Sequence, residues 1–223
     1  MKIWVFHDPS DHAYAQAGLR GTWTPPEEGP ERRIQPLIIE WEPGSDVIGD
    51  FTCTGFGSGW VVTEEVGEML LARFKGFELG PVEMIQNPKL KRTRRITRRT
   101  KRRVWLPYDG PPLYEVRATH QVKPDLDRST LANVRRDEGT DEFCYDVEGG
   151  ERIEYSGVFP DLCRKRVPRE RGKGIYVVEA HLDGAGIFNV EGCGWIFCTD
   201  SVREFIIEQQ FTNVDFFEMG ETF

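Results

Sequence analysis

The feature that most constrains the fold is a strand–helix–strand pattern that occurs twice, in residues 60–84 and 195–219. Each copy begins with Gly-Trp and a short apolar run, which puts Trp60 and Trp195 at equivalent places. A helical stretch and a closing strand follow in both copies. This pattern predicts two helices that each lead into a strand, and it raises an internal pseudo-repeat as a hypothesis.

The two helices are predicted from their first turns and their apolar spacing. Thr63 and Thr199 stand at N-cap positions, and the acidic residues after them suit the exposed N–H groups of a first turn. Apolar residues recur three and four positions apart in both stretches, which is typical of an amphipathic helix. We expect Gly76 to end the first helix.

The rest of the chain alternates between strand-like runs and segments rich in Gly, Pro and charge. Further strands are predicted in 3–6, 36–41, 104–108, 113–122, 152–158 and 175–180, with loops in most of 8–33 and 125–151. Pro81 indicates an edge or a bulge in its strand. We expect an α+β fold with mixed and antiparallel sheets in one globular protein, 1–223. An alternative organisation has two lobes, 1–86 and 104–223, joined by the basic segment 87–103.

Charge is distributed unevenly along the 223 residues. Residues 89–103 contain ten Lys or Arg and no acid, so the other 19 bases face all 37 acids of the chain. The apolar runs are shorter than the ~20 residues that a membrane helix needs. With five cysteines and no C-x-x-C pair, we expect reduced thiols, no metal and a cytoplasmic location.

No recognised catalytic motif occurs in the sequence. The Gly-rich stretch 55–59 lacks the Gly-Lys-Ser/Thr of a phosphate loop, and neither H-E-x-x-H nor G-x-S-x-G is found. His181 and Asp183 stand two residues apart, as a pair on one strand face would, but no nucleophile accompanies them. We expect no enzyme activity and no cofactor, although a carboxylate pair assembled in space stays open.

The basic run has three interpretations. It is a solvated or self-neutralising segment, a protein-binding segment, or an electrostatic contact for nucleic acid. It contains no aromatic residue for base stacking, and an acidic body repels phosphates, so nucleic acid is the least favoured partner. The candidate partner-binding residues lie in and just after the run: Arg94, Arg95, Arg98, Arg99, Lys101, Arg102, Trp105 and Tyr108.

Several segments resemble a bacterial family of immunity proteins from polymorphic toxin systems, and most closely its double-CxxCG branch. The similarity lies in the order and spacing of FELGPVEM (77–84), FTNVDFFEM (211–219), WEPGSD (41–46), LPYDGPPLYE (106–115) and IFN (187–189). The two CxxCG motifs of that branch fall in 133–167, where this chain has only Cys144 and Cys163. Any zinc site of that branch is therefore not expected here.

The resemblance implies a non-catalytic protein that binds a cognate toxin and blocks it. An acidic body suits electrostatic steering toward a basic toxin. The alternative is a nucleic-acid-binding or regulatory module that uses residues 89–103.

Overall fold

The computed structural model describes residues 1–9, 14, 16–19, 36–42, 47–55, 59–85, 91–92, 104–105, 108, 110–136, 143–156 and 163–223. These residues form a protein that is mainly β with two α-helices. The helices are α1 (Glu64–Arg73) and α2 (Asp200–Glu208), and a 3₁₀ helix spans Glu179–Leu182. Neither α-helix of the described chain is long and apolar enough to cross a membrane.

Two six-stranded sheets contain most of the strands. Sheet I has the order β2–β3–β6–β9–β5–β4, made of β2 (Gln16–Leu19), β3 (Leu37–Glu42), β6 (Phe77–Ile85), β9 (Leu113–Ala118), β5 (Trp60–Thr63) and β4 (Phe51–Cys53). Sheet II has the order β10–β16–β17–β1–β18–β15, made of β10 (Gln121–Val122), β16 (Ile187–Val190), β17 (Ile196–Thr199), β1 (Lys2–His7), β18 (Asp215–Thr222) and β15 (Ile175–Val177).

Three two-stranded sheets complete the described strands. They are β7 (Lys91–Arg92) with β8 (Val104–Trp105), β11 (Leu131–Arg136) with β12 (Phe143–Val147), and β13 (Arg152–Ser156) with β14 (Cys163–Val167). The pair β11–β12 lies inside 125–151, where the sequence predicts a loop. β11 ends in two arginines and has a register shift between Ala132 and Arg135, which interrupts the alternation from which a strand is recognised, and β12 is only five residues long.

Sheets I and II share one strand order. In each, the strand before the helix (β5 or β17) and the strand after it (β6 or β18) flank a common antiparallel neighbour, β9 or β1. Beyond them lie an antiparallel strand (β4 or β16) on one side and a parallel strand (β3 or β15) on the other. Five strands therefore match in order and direction.

The strand register corrects the equivalence of the two tryptophans. Thr63 stands opposite Leu113 of β9, and Thr199 stands opposite Ile3 of β1. If Thr63 and Thr199 are equivalent, the residues three positions before them, Trp60 and Ile196, are also equivalent. Trp195 therefore lies one position before the counterpart of Trp60. Trp60 is 1% exposed and Trp195 is 38% exposed, because Trp195 precedes the strand and lies past the packed part of the sheet.

A central core joins the two sheets and both helices. Val66 and Leu70 of α1 and Val202, Phe205 and Ile206 of α2 enter it, together with inward side chains from both sheets. The predicted amphipathic spacing is thus confirmed in both helices. Smaller apolar clusters cover the opposite face of sheet II, around Phe188 and Phe197, and that of sheet I, around Ile39 and Val61.

The helix termini differ in detail from the prediction. Thr63 and Thr199 are the N-cap residues, as predicted, but neither side chain makes a capping hydrogen bond. Helix α1 ends at Arg73 rather than continuing to Gly76. Gly76 has φ 93°, and a Cβ there would lie 2.2 Å from the backbone oxygen of Ile187, so the turn requires glycine.

The loop after each helix binds a strand of the other sheet. After α1, the backbone oxygen of Lys75 accepts hydrogen bonds from Gly186 N (2.9 Å) and Ile187 N (3.2 Å) at the start of β16. After α2, Phe51 N of β4 donates to the backbone oxygen of Thr212 (3.2 Å). We call these two contacts the reciprocal clasps; they fasten each sheet to the helical loop of the other.

The two sheets draw strands from distant parts of the chain, because β1 joins the C-terminal strands in sheet II and β9 joins sheet I. One further expectation needs correction. The Pro81 strand is internal rather than an edge. Pro81 is the last residue that pairs with β9, and pairing with β3 begins at Val82, so the missing N–H falls where the strand changes partner.

Candidate protein-interaction site

The most distinctive surface lies around the hairpin β13–β14 and a cleft beside it. The cleft, which we call the hairpin cleft, has a volume of about 420 Å³. It lies between the end of β1, the β4–β5 hairpin and the start of β13. Its walls are largely aromatic or apolar, and include Trp60, Ile153, Trp195 and Phe217 with His7 at one side.

One face of the hairpin continues the wall of the cleft. Cross-strand pairing places Ile153 opposite Arg166 and Tyr155 opposite Arg164, so these four side chains share a face. Tyr155 is 57% exposed, and the guanidinium carbon of Arg164 lies 5.6 Å from the centre of its ring. This cation–π contact holds an aromatic and a cationic side chain together at the surface.

Arg166 anchors the hairpin to sheet II. Its guanidinium forms ion pairs with Glu151 and with Asp215 (Nη1–Oδ2, 2.8 Å), and it also donates to the backbone oxygen of Phe216. It lies over the ring of Phe217 at 5.1 Å. The hydrogen bond to Glu151, with the charge of Asp215, raises the pKa of Arg166 above its ordinary value. A two-stranded hairpin is marginally stable alone, so this anchor fixes its position.

His7 is an uncharged member of the cleft wall at neutral pH. Its ring stacks on Phe217, with centroids 3.8 Å apart and planes 21° apart. Burial lowers the pKa of His7 below 6.5, while the charges of Asp215, Asp8 and Glu151 oppose that shift and Arg166 adds to it. His7 therefore contributes a flat, neutral ring.

Trp60 lines the cleft and contains a buried hydrogen-bond donor that has no described acceptor. Its indole is buried, and its Nε1 finds no acceptor among the residues that the structure describes. Trp4, the other described core tryptophan, donates from Nε1 to Asp200 Oδ1 at 2.7 Å. A buried donor without a partner costs about 1–3 kcal/mol. Trp60 Nε1 has almost no solvent-accessible surface, so its unsatisfied N–H is a feature of the core and does not open to solvent.

Three of the four described thiols are poorly suited to nucleophilic chemistry. Burial raises the pKa of Cys53, which lines the cleft, and of Cys193 to about 11, and it also raises that of Cys198. Cys144 is exposed, and none of these four described cysteines forms a disulfide. Among the described residues, no group of three or more His, Cys, Asp or Glu side chains is arranged to hold a metal ion.

Most of the partner-binding residues that the sequence suggests lie outside the described residues, namely Arg94, Arg95, Arg98, Arg99, Lys101 and Arg102. Trp105 is placed in β8 opposite Arg92, without a described side chain. The Tyr108 hydroxyl donates to the backbone oxygen of Pro111, and its ring lines a separate groove of about 600 Å³ with Pro81. Their role in partner binding stays a prediction.

The predicted pairing of His181 with Asp183 on a strand face is wrong. His181 lies in the 3₁₀ helix, and Asp183 follows it in a left-handed conformation with φ 48°. Residues two positions apart point to the same face only in a strand. His181 and Asp183 lie in a helical turn outside any strand, so this reason for pairing them does not apply. The backbone oxygen of His181 instead accepts a hydrogen bond from His120 Nε2 at 2.8 Å.

The sequence prediction missed Tyr155, Arg164 and Trp195 as surface candidates. Residues 152–156 do alternate, with Ile153 and Tyr155 on one face, and that signal was available. The sequence of β14, CRKRV, carries no such signal because three successive charged residues occupy both of its faces. The sequence pattern predicts Trp195 within a strand, where a tryptophan is more often core than surface.

The fold and this surface define a sheet-rich protein with two helices and an exposed Trp, Tyr and Arg site. Comparison with known proteins finds no matching family model and no matching curated protein.

Proposed function

We propose that this protein is a bacterial immunity protein that binds a cognate toxin in the cytoplasm and blocks it without catalysis. The observation that carries the proposal is the exposed group of Tyr155, Arg164 and Trp195 around the hairpin cleft. Trp, Tyr and Arg are the residue types that contribute most binding energy in protein interfaces. That the partner is a toxin is inferred from the resemblance to toxin-immunity proteins.

The site is organised before a partner arrives. Arg166 holds the hairpin on sheet II through two carboxylates and a backbone oxygen. Arg164 lies against Tyr155, so neither side chain is fully free to rotate. Ordering side chains on binding costs about 0.5–1.5 kcal/mol each, and this arrangement lowers that cost. The net charge of −8 favours encounter with a basic toxin.

Co-expression with the product of the neighbouring gene tests the proposal. We expect the intact chain to restore growth and to form a complex that survives purification. Replacing both Tyr155 and Arg164 with Ala is expected to weaken that complex by about 100-fold or more, since each removes a hot-spot side chain. Leu71→Ala on α1 is the matched control, because Leu71 is 45% exposed and distant in sequence from the hairpin.

Two results count against the proposal. Failure of the intact chain to rescue growth or to bind the neighbouring product removes the toxin-binding function. Equal affinity of the Tyr155/Arg164 double variant and the Leu71 control moves the binding site away from the hairpin.

Nucleic-acid binding by the basic segment 89–103 is the second candidate. Its only described residues, Lys91 and Arg92 in β7, pair with Val104 and Trp105 of β8, so a basic strand runs beside one that contains an aromatic residue. Basic and aromatic residues together are typical of single-strand binding. A salt-dependent gel shift that disappears when Arg94, Arg95, Arg98 and Arg99 are neutralised would favour this function.

A further inference from the structure

We infer that the hairpin cleft and the hairpin beside it bind an extended segment of the partner that carries an aromatic side chain and a carboxylate two residues apart. The aromatic side chain enters the cleft next to Ile153, and the carboxylate pairs with Arg164. This inference rests on the proposed function and names the chemistry of the toxin segment that the site binds.

The first argument is the charge of Arg164. Its side chain is exposed and lies against the Tyr155 ring, and it makes no ion pair with any described residue of the chain. The guanidinium group has only donors, in a planar arrangement that matches a carboxylate. An incoming carboxylate can therefore pair with Arg164 without displacing a partner that is already there.

The second argument is that the charges lining the cleft are already paired. Each of the charged residues in its wall has a partner within the chain: Asp8, Glu151 and Arg152. Glu151 pairs with Arg166, and Arg152 pairs with Glu154 at 2.7 Å. Among the described charges of the cleft and the adjoining hairpin face, Arg164 alone is left for a partner. The acidic net charge steers a basic toxin from a distance, and this local pair fixes its register.

The third argument is the spacing of the two contacts. Arg164 stands opposite Tyr155, and Arg166 stands opposite Ile153, which lines the cleft. These two cross-strand pairs are two residues apart along the hairpin, or about 7 Å. Side chains two positions apart in an extended segment share one face at the same separation. A segment that lies along the hairpin thus reaches Arg164 and the cleft together.

The fourth argument is the composition of the cleft. Its wall includes the stacked rings of His7 and Phe217 and the exposed Trp195. Aromatic rings gain energy from offset-stacked and edge-to-face contacts with one another, beyond the burial of their area. The volume of about 420 Å³ is in the range of sites that enclose a small ligand, which suits one aromatic side chain.

The test titrates the full-length ¹⁵N-labelled chain with two pentapeptides that have blocked ends, Ser-Phe-Ser-Asp-Ser and Ser-Asp-Ser-Phe-Ser, which cover both directions of the segment. Each has a counterpart with Asn in place of Asp, which keeps the shape and removes the charge. We expect the Trp195 indole signal, assigned from its loss in Trp195→Phe, to shift and to saturate with at least one Asp peptide. Its Asn counterpart is expected to bind about two- to fivefold more weakly, as an exposed ion pair would predict.

Two variants assign this charge effect to Arg164. Arg164→Gln is expected to weaken binding of the Asp peptide by about two- to fivefold and to leave the affinity of the Asn peptide unchanged. Lys165→Gln is the matched control, because Lys165 is an exposed cation on the opposite face of the same strand. It should leave both affinities unchanged. Both substitutions are at exposed positions, where changes in stability are usually small.

A Trp195 signal that does not move at the solubility limit of the peptides overturns the inference. Equal affinity of the Asp and Asn peptides does so too, as does an equal effect of Arg164→Gln and Lys165→Gln. An oligodeoxythymidylate that binds more tightly than the peptides, and that loses affinity in Arg164→Gln, would assign the site to nucleic acid and also overturn the inference.

The toxin experiment and the peptide experiment fail independently. Growth rescue without peptide binding removes the inference about the segment and leaves the immunity function in place. Saturable peptide binding that depends on Arg164, in a chain that neither rescues growth nor binds the neighbouring product, removes the toxin as partner and leaves a site for an acidic and aromatic peptide.

Discussion

Trp4 and Trp60 are buried indoles that differ in one hydrogen bond. Trp4 Nε1 donates to the Asp200 carboxylate, whereas Trp60 Nε1 has no described acceptor. Replacement by Phe removes a similar volume in both cases, but it breaks a charge-assisted bond at Trp4 and removes an unsatisfied donor at Trp60. We expect Trp4→Phe to lower the free energy of unfolding by about 2 kcal/mol more than Trp60→Phe, measured by urea denaturation. Equal losses would mean that Trp60 also has an acceptor in the free protein.

The cysteines differ in their expected reactivity. Because burial raises the pKa of Cys53 and Cys193 to about 11, only about one thiol in a thousand is ionised at pH 8. Cys198 is fully buried, and Cys144 is exposed. In a Cys163→Ser background, we expect iodoacetamide at pH 8 to label Cys144 alone in the folded protein and all four thiols in urea. Rapid native labelling of Cys53 would contradict its burial.

At the scale of elements, the hairpin β13–β14 depends on one anchor. Arg166 contacts Glu151, Asp215 and the backbone of Phe216, while Lys165 on the opposite face makes no ion pair within the described chain. We expect Arg166→Ala to speed amide hydrogen exchange in 152–156 and 163–167 at least tenfold while the two large sheets keep their protection. Lys165→Ala is the control and should leave the exchange unchanged. Faster exchange throughout the protein would instead assign Arg166 a global role.

The sequence predicts those helices and strands that have one buried face, because burial produces a regular apolar spacing. Val66 and Leu70, and likewise Val202 and Ile206, produce a helical period because they enter a core. The strands β11 and β14 lack such a period, since most of their described side chains face solvent and charged residues occupy both faces. Helix α1 ended earlier than predicted because Phe74 packs into the core from an extended backbone rather than from a last helical turn.

At the scale of the whole molecule, the reciprocal clasps couple the two sheets. Asp50 Oδ2 accepts hydrogen bonds from Thr212 N and Thr212 Oγ1, both at 2.7 Å, next to the β4 clasp. We expect Asp50→Ala to lower the free energy of unfolding by about 1–3 kcal/mol in a single transition that affects both sheets. The control Glu68→Ala on the exposed side of α1 should stay within about 0.5 kcal/mol. Separate transitions for the two sheets would show that the clasp is not a coupling element.

Neither the candidate site nor the order of the strands in the sheets could be predicted from patterns along the sequence. The hairpin cleft combines His7, Trp60, Ile153 and Trp195, which only the strand pairing brings together. The pseudo-repeat hypothesis gains support from the matched order of five strands, and it stays a prediction. The sequence does not show this match because β1 precedes both copies of the pattern, whereas its counterpart β9 follows the first copy.

The position of β1 has a consequence for protein synthesis. Residues 2–7 emerge from the ribosome long before their partners in β17 and β18, which are 196–199 and 215–222. Throughout translation of the intervening chain, Ile3, Trp4, Val5 and Phe6 form an unpaired apolar strand. At about 5–20 residues per second, that exposure lasts roughly 10–40 seconds. Sheet II can therefore form only after β17 and β18 have been synthesised, and β1 is where a chaperone is expected to bind the nascent chain.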